Sequence, residues 1–375
     1  MKGDGLGKFL GFLLVFLLLV VGALGGAYFY ADSVYRQAGP ATADGSPRTV
    51  IIEPKSSVPA IAKKLVGAGA IRNDLVFRGA VRLTNATMRL KAGEYAFDSG
   101  ESMKGVIEQM IAHKVVLHGI TAPEGLTSAM IMEKLKNEPL LSGPLPSVEP
   151  AEGVLLPDTY MVERGQKRAD VVARMISAQQ KLMAELWPRR QAGLPFETPE
   201  QALILASVVE KETGLPDERP QVAAVFVNRL KRGMKLESDP TIIYGLTKGA
   251  PLGHGLTRSE LNTPNAWSTY QIAGLPPTPI CNPGRAAIEA VLNPPVSDAL
   301  YFVAQGGAGG RSTFSATYAE HMKNVANLRS WEHNAAKAAA AADNQGEAPT
   351  FEASTPPPKR VKPSVPAPPK PGDAS

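Results

Sequence analysis

The longest apolar stretch lies near the N-terminus: Phe9 to Tyr30, FLGFLLVFLLLVVGALGGAYFY, carries no charge over 22 residues. About 20 such residues in a helix cross the ~30 Å hydrocarbon layer of a bilayer, so the run predicts a single transmembrane helix over 9–30. Lys2 and Lys8 precede it. Positive charge collects on the cytoplasmic side of membrane spans, which places residues 1–8 in the cytoplasm and everything after Tyr30 outside. The expected location is the inner (cytoplasmic) membrane, single-pass, with a periplasmic or extracytoplasmic body. Small residues from Ala23 to Ala27 would also fit a signal-peptide cut. Signal cores run about 7–15 residues, however, and this run is longer and closes on Tyr28-Phe29-Tyr30, so an uncleaved anchor is expected.

Residues 31–48 are polar and contain Gly39-Pro40 and Gly45-Ser46-Pro47, the composition of a linker. A strand is then expected at Val50 to Glu53, a turn at Pro54, and a helix with Val58, Ile61, Ala62 and Leu65 at helical spacing. A looser copy follows in GITAPEGLTSAMIMEKL: a short strand, a turn at Pro123, then Leu126, Met130 and Leu135 on a helix. Between the two, Lys91 to Tyr95 and a helix from Met103 to Met110 close the first unit. Residues 49–148 thus read as a small α+β module of two related strand-turn-helix units. From 149 to 333 the pattern is helix-rich with long loops, ending in a strand at Leu300 to Ala304, a glycine loop and a helix from about Ser315 to Trp331. Residues 334–375 pass from an alanine run into a tail where eight of the last twenty residues are proline. Such a tail favours extended polyproline II over a packed core, and disorder is expected there. The fold class predicted for the whole is α+β.

Charge changes this picture little. The formal balance is +5, and the basic residues are spread out with no aromatics interleaved, which argues against nucleic acid as a partner. Cys281 is the lone cysteine, and the five histidines show no pair at a metal-ligand spacing. No metal, no other cofactor and no disulfide framework are expected.

Candidate chemistry sits in ALILASVVEKETG. Leu205, Val208 and Val209 share a helical side with Glu212, whereas Glu210, about 200° away around a 3.6-residue helix, shares its side with Ala206 and Ser207. Glu212 therefore ends an apolar stripe, and desolvation there raises the pKa of a carboxyl towards what a general acid needs. The competing view is that both glutamates are solvated and pair with Lys211 or Arg219. Downstream, QVAAVFVNRLKRGMKLESDPTIIYG predicts a second helix, buried through Val222, Val225, Phe226 and Leu230 and stopping at Gly233. A third, short helix follows, capped by Ser238 or Asp239 with Pro240 at its start. This packing would bring Asn228, Asp239, Thr241 and Tyr244 near the end of the Glu212 helix, where capping and core packing compete with substrate contact as their roles.

ASVVEKETG, VFVNRLKRGMKLESDPTIIYG, GLPPTPICNPG and LLPDTY together resemble the endolytic murein transglycosylase (YceG-like) family from the membrane anchor to about Trp331. The resemblance implies a LysM-like N-terminal module and a catalytic domain. It further implies cleavage of the MurNAc–GlcNAc β-1,4 bond of nascent peptidoglycan strands to leave 1,6-anhydro-MurNAc ends, with penicillin-binding proteins and other wall-synthesis or cell-division machinery as partners. The second glutamate of the family's E-K-E-T motif falls on Glu212, as general acid and then base. Asn228, Asp239, Thr241, Tyr244 and Tyr270 become candidates for sugar contact. Three positions depart from the family pattern: Trp267-Ser268-Thr269-Tyr270 stands for Y-N-T-Y, Thr278 follows Gly274-Leu275-Pro276-Pro277, and Ser312 occupies a position where histidine is common. Catalysis is therefore not assigned to Ser268 or Ser312. The alternative from another class is a non-catalytic peptidoglycan-binding scaffold.

Overall fold

The computed structural model describes residues 4–307 and 310–343; the remainder of the predicted tail lies outside the described residues. The chain forms two compact units, one of residues 1–119 with 140–142 and 161–166, the other of 120–139, 143–160 and 167 onward.

In the first unit, α1 (Asp4–Arg36) contains a stretch long and apolar enough to cross a membrane. It does not stop at Tyr30 but continues through residues 31–36, which the sequence assigned to the linker. An Asp32–Arg36 ion pair of 2.8 Å spans its last turn, and Val34 and Tyr35 pack on the unit's core. The chain beyond is tied down as well: the Gly39 N–H donates to the Gly100 carbonyl and the Thr42 N–H to Ser99 Oγ. β1 (Arg48–Ile52) is followed by α2 (Val58–Gly67) and α3 (Asp74–Leu83), then β2 (Gly93–Phe97) and α4 (Met103–Ala112). Ser57, Asn73 and Ser102 each cap the helix they precede by accepting a backbone N–H. β1 and β2 are antiparallel with Val50 opposite Tyr95. Alternation buries Val50 and Ile52 and leaves Ile51 outside, so one sheet face meets the helices. The stacked rings of Tyr95 and Phe97 form the floor of a core filled by Leu65, Phe77, Val106 and Met110. α3 has only a weak signal in the sequence, because only Phe77 and Val81 of its ten residues are buried.

β3 (Leu117–Thr121) pairs with β4 (Thr159–Glu163), and α5 (Ser128–Lys136) lies between them in sequence. The second strand-turn-helix copy thus takes its own strand partner, and the division between units falls inside β3 and β4. Residues 49–148 are not one compact body. The second unit continues through α6 (Arg168–Leu186), a 3-10 turn at Trp187–Arg189, α7 (Pro199–Glu212), α8 (Arg219–Lys231), α9 (Asp239–Thr247), α10 (Arg258–Asn262) and α11 (Arg285–Leu292). A hairpin of β5 (Tyr301–Ala304) and β6 (Ser312–Ser315) then leads into α12 (Tyr318–Asp343). Phe302 faces Phe314 across the hairpin, so the expected glycine loop is flanked by two strands where one was predicted. Alanine is the strongest helix former, and the alanine run extends α12 through residues 334–343, part of the predicted tail.

α11 packs on both α7 and α8, with Ala206, Ala223 and Ala287 at the contacts and Val209, Phe226 and Ile288 filling the space between. α7 is set by Pro199 in its first turn and by a capping box between Thr198 and Gln201. The loop entering α11 is clasped by Asn282, which is fully buried. Its Oδ1 accepts the Leu155 N–H at 2.9 Å, while its Nδ2 donates to the Leu126 carbonyl and to Ser128 Oγ, both at 3.1 Å. Asn282→Ala leaves the buried Leu155 N–H without its partner, whereas the Leu126 carbonyl keeps the backbone N–H of residue 282 and Ser128 keeps its bond to Ala151, and should cost about 1–3 kcal/mol of stability, read as a lowered urea midpoint. An unchanged midpoint would remove the clasp from the account.

Candidate active site

Two glutamates on one helix meet opposite environments. α7 is buried on both sides at its C-terminal end, with Leu205, Ala206, Ser207, Val208 and Val209 all fully enclosed. The competing view, in which both glutamates are solvated, does not hold, although Lys211 between them is exposed. On the side of Ala206, the Ser207 hydroxyl donates to the Ile204 carbonyl at 2.7 Å and accepts the Ile280 N–H at 2.9 Å. One turn further, Glu210 Oε2 accepts the Gly284 N–H at 2.9 Å while its Oε1 lies 3.0 Å from Arg219 Nη2. Both side chains of that pair are less than a tenth exposed. Burial pushes the Glu210 carboxyl above its ordinary range, and the Gly284 amide and the Arg219 charge hold it back. The Glu124 side chain lies against Gly284, where a Cβ would meet its Oε1 at 1.8 Å and the carboxylate would have to swing aside. The Glu210 side of α7 is thus a clamp on the 280–284 loop, and its pairing with Arg219 is buried rather than solvated.

Glu212 is the last residue of α7 and is half-buried on the side that meets α9. The helix ends because Thr213 turns extended (φ −134°, ψ 133°); Gly214 is not used as a left-handed stop. Burial lifts the Glu212 pKa from 4.5 to about 7, and the neighbouring Asp239 charge pushes the same way. The Ser238 hydroxyl faces the carboxyl and opposes the rise, although it is buried and completes no hydrogen bond of ordinary geometry. The positive charge of Arg229 opposes it more weakly. Arg229 is itself fixed by carbonyls, with Nε 2.7 Å from Leu300 O and Nη1 2.9 Å from Leu236 O, and pairs with Glu237 at 3.2 Å.

Asp239 opens α9, where the helix dipole favours an anion. It accepts the Tyr270 hydroxyl at 2.8 Å. Behind it Thr241 donates to the Ser238 carbonyl at 2.6 Å and shares a hydrogen bond with Thr269 at 3.0 Å, while Thr269 Oγ1 accepts the Ser238 N–H at 2.9 Å. Glu237, just before, has φ 52°, a left-handed conformation costly for a side chain of this size and held by the bond from its N–H to the Thr269 carbonyl. The segment 267–270 therefore runs antiparallel to α9 and fixes its start.

Of the predicted residues, Glu212, Asp239, Thr241 and Tyr270 come together. Thr241 is wholly buried and supports its neighbours. Tyr244 lies about one and a half turns along α9, edge-on to Trp267 at 5.6 Å, its hydroxyl pushed up to about 12 by burial and by the charge of Glu152. Asn228 is committed elsewhere: its amide donates to the Ser297 and Ala299 carbonyls at 2.8 and 3.0 Å, ahead of β5. The adjacent Arg229 is the α8 residue whose charge acts on Glu212. Its spacing three residues after Phe226, on the buried face, is the signal that would have singled it out.

The YceG-like family model matches residues 50–327. The chain is similar to proteins named endolytic murein transglycosylase. The one from Streptococcus pneumoniae serotype 2 is 28% identical over 363 residues, covering 84% of this chain and 64% of the relative. The one from Bacillus subtilis is 27% identical over 331 residues, covering 80% and 89%. A solved structure of a yceG-like protein from Listeria monocytogenes is 28% identical and covers 74% of this chain and 99% of that one, with a TM-score of 0.44. The chain spans about two thirds of the length of the S. pneumoniae relative.

Because the Glu212 pKa is higher folded than unfolded, the native state holds this proton more tightly. Its contribution is neutral below the unfolded value of 4.5, turns increasingly destabilising as pH rises to about 7, and is constant above that. Glu212→Gln should therefore raise stability by about 1–3 kcal/mol at pH 8 and change it little at pH 4. Urea unfolding at the two pH values measures this; an equal effect at both would contradict a raised pKa.

Proposed function

This chain belongs to the YceG-like family, and we propose that it is a membrane-anchored endolytic peptidoglycan transglycosylase with Glu212 as its general acid and base. The observation that carries the proposal is the carboxyl of Glu212, held near pKa 7 beside Asp239 at the junction of α7 and α9. A group poised there is protonated in a large fraction of molecules at neutral pH and can both give and take a proton. The names of the S. pneumoniae and B. subtilis relatives support the choice of murein as the substrate.

In this reaction neutral Glu212 protonates the glycosidic oxygen between MurNAc and GlcNAc, and the bond to the MurNAc anomeric carbon breaks. The sugar's own 6-hydroxyl closes on that carbon, and the Glu212 carboxylate takes the hydroxyl proton. The acid is regenerated and no water is consumed, so the new end is 1,6-anhydro-MurNAc. A hydrolase needs a second carboxylate to activate water or form an ester; here Asp239 needs only to keep its negative charge. Held by Tyr270, it raises the proton affinity of Glu212 and stabilises positive charge developing on the sugar. α1 would anchor the protein with its N-terminus in the cytoplasm, leaving the site outside the membrane, where nascent strands emerge. The LysM-like role of the first unit, glycan contact by Asn228, Thr241, Tyr244 and Tyr270, and partnership with penicillin-binding proteins belong to the same proposal.

Mass spectrometry of glycan digests made by the full chain tests it. Wild type should release anhydro-ended fragments, and Glu212→Gln should lower their rate by at least about 10³-fold, since the variant keeps shape but loses the proton. Fragments heavier by one water would make the protein a hydrolase, and undiminished anhydro products from the variant would remove Glu212 from the mechanism.

A further inference from the structure

The end of α9 remote from Glu212 carries a second arrangement that the proton transfer does not use. Lys248 closes the helix, its N–H donating to the Tyr244 carbonyl at 2.8 Å, and adopts φ 54°, ψ 34°, a left-handed conformation normally filled by glycine. Glycine does follow, at 249 with φ 93°, packed so closely that a Cβ would lie 2.1 Å from the Thr127 methyl. The turn is therefore built to one shape, and it aims the Lys248 side chain across an aromatic pair. Its ammonium is 3.3 Å from the Trp267 ring centroid and 5.3 Å from that of Tyr244. The indole is itself fixed, donating from Nε1 to Thr278 Oγ1 at 2.9 Å.

Among the described residues no carboxylate stands within ion-pair distance of Lys248, which is exposed. An ammonium on an indole is desolvated on one face and keeps its donors on the other. Helix rise puts Lys248 about 14 Å along α9 from Asp239, so the two charges stand at opposite ends of the helix. The sugars of a glycan strand offer mainly hydroxyls, whereas the peptide arms that hang from them carry carboxylates. Trp267 and Tyr270 lie at the two ends of one tetrapeptide alongside α9, so the cationic end and the acid end share one wall.

We propose that Lys248, seated on Trp267, is a carboxylate-binding subsite that engages the peptide arm of the strand and makes the protein select peptide-bearing over naked glycan. This rests on the transglycosylase reading for the identity of the strand. The subsite explains why a bulky residue occupies a glycine conformation: the αL backbone is what brings the ammonium over the ring. It also places Trp267 as support for a cation, since the ammonium covers the face on which a sugar would stack.

The test is binding by the full chain carrying Glu212→Gln, which removes turnover, to soluble glycan strands with their peptides and to the same strands stripped by an amidase. Peptide-bearing strands should bind about tenfold tighter, the strength of one charge-assisted contact. Adding Lys248→Met, which keeps the aliphatic stem over the indole, should bring the ratio of the two affinities close to one, and Lys248→Arg should keep most of it. A parent with no preference overturns the subsite, as does a ratio that survives Lys248→Met or affinities that fall in proportion on both strands. Anhydro-ended products from wild type are scored separately. A chain that selects peptide-bearing strands but releases none would retain the subsite and lose the transglycosylase reading.

Discussion

Everything at the candidate site depends on one unfavourable placement: an acid at the end of α7 with its charge opposed from three directions. Burial removes water from Glu212, Asp239 sets a like charge beside it, and the helix C-terminus points its own negative end at the carboxyl. Among the described residues no cation pairs with Glu212 to relieve this. Arg229, the cation whose charge acts on Glu212, is engaged by the carbonyls of Leu300 and Leu236 and by Glu237. What remains for the carboxyl is to keep its proton near neutral pH, which is the property general acid–base chemistry needs. The surrounding structure holds that tension in place: α7 is packed on both sides, and α9 is fixed at its start by Thr269, Thr241 and Tyr270.

Glu210 shows the contrasting solution two residues earlier. It is buried too, but a guanidinium and a backbone amide satisfy its two oxygens, so its charge is spent on holding the 280–284 loop and the start of α11. Removing one member of a buried pair leaves the other uncompensated, which makes Glu210 and Arg219 structural in effect whatever the chemistry at Glu212. A rotation of about 200° around the helix separates a clamp from the candidate proton donor. The 280–284 loop in turn carries Asn282, whose bonds gather Leu126, Ser128 and Leu155. The E-K-E-T and G-L-P-P segments are thus mechanically joined through Glu210 and Ser207.

Much of this was legible in the sequence because it is local. The apolar run of α1, the strand-turn-helix opening of the first unit, the start of α9 at Asp239-Pro240 and the apolar stripe ending at Glu212 follow from periodicity and from the residues that open helices; Ser238 holds the capping position, but its side chain makes no cap bond. The parts that escaped depend on contacts distant along the chain. Burial of Glu210 depends on Gly284, 74 residues later, whose N–H it accepts. Asn228 has the chemistry of a sugar ligand, but the segment before β5 claims its amide. The two strand-turn-helix copies look alike locally, yet β3 finds its partner in β4, some forty residues further on, and the division between units follows that pairing. The first part of the expected linker, residues 31–36, is helical and escaped for a different reason: its polar composition hid Val34 and Tyr35, which dock the last turn of α1 on the first core.

The central claim is that Glu212 carries its proton near neutrality because of where α7 ends. Titration of the Glu212 carboxyl by NMR, with carbon-13 in the glutamate side chains and Glu212→Gln to assign the resonance, measures it directly. The account predicts a midpoint near pH 7 that falls towards the ordinary range when Asp239 is replaced by Asn. A midpoint near 4.5 in the otherwise unaltered chain would contradict it.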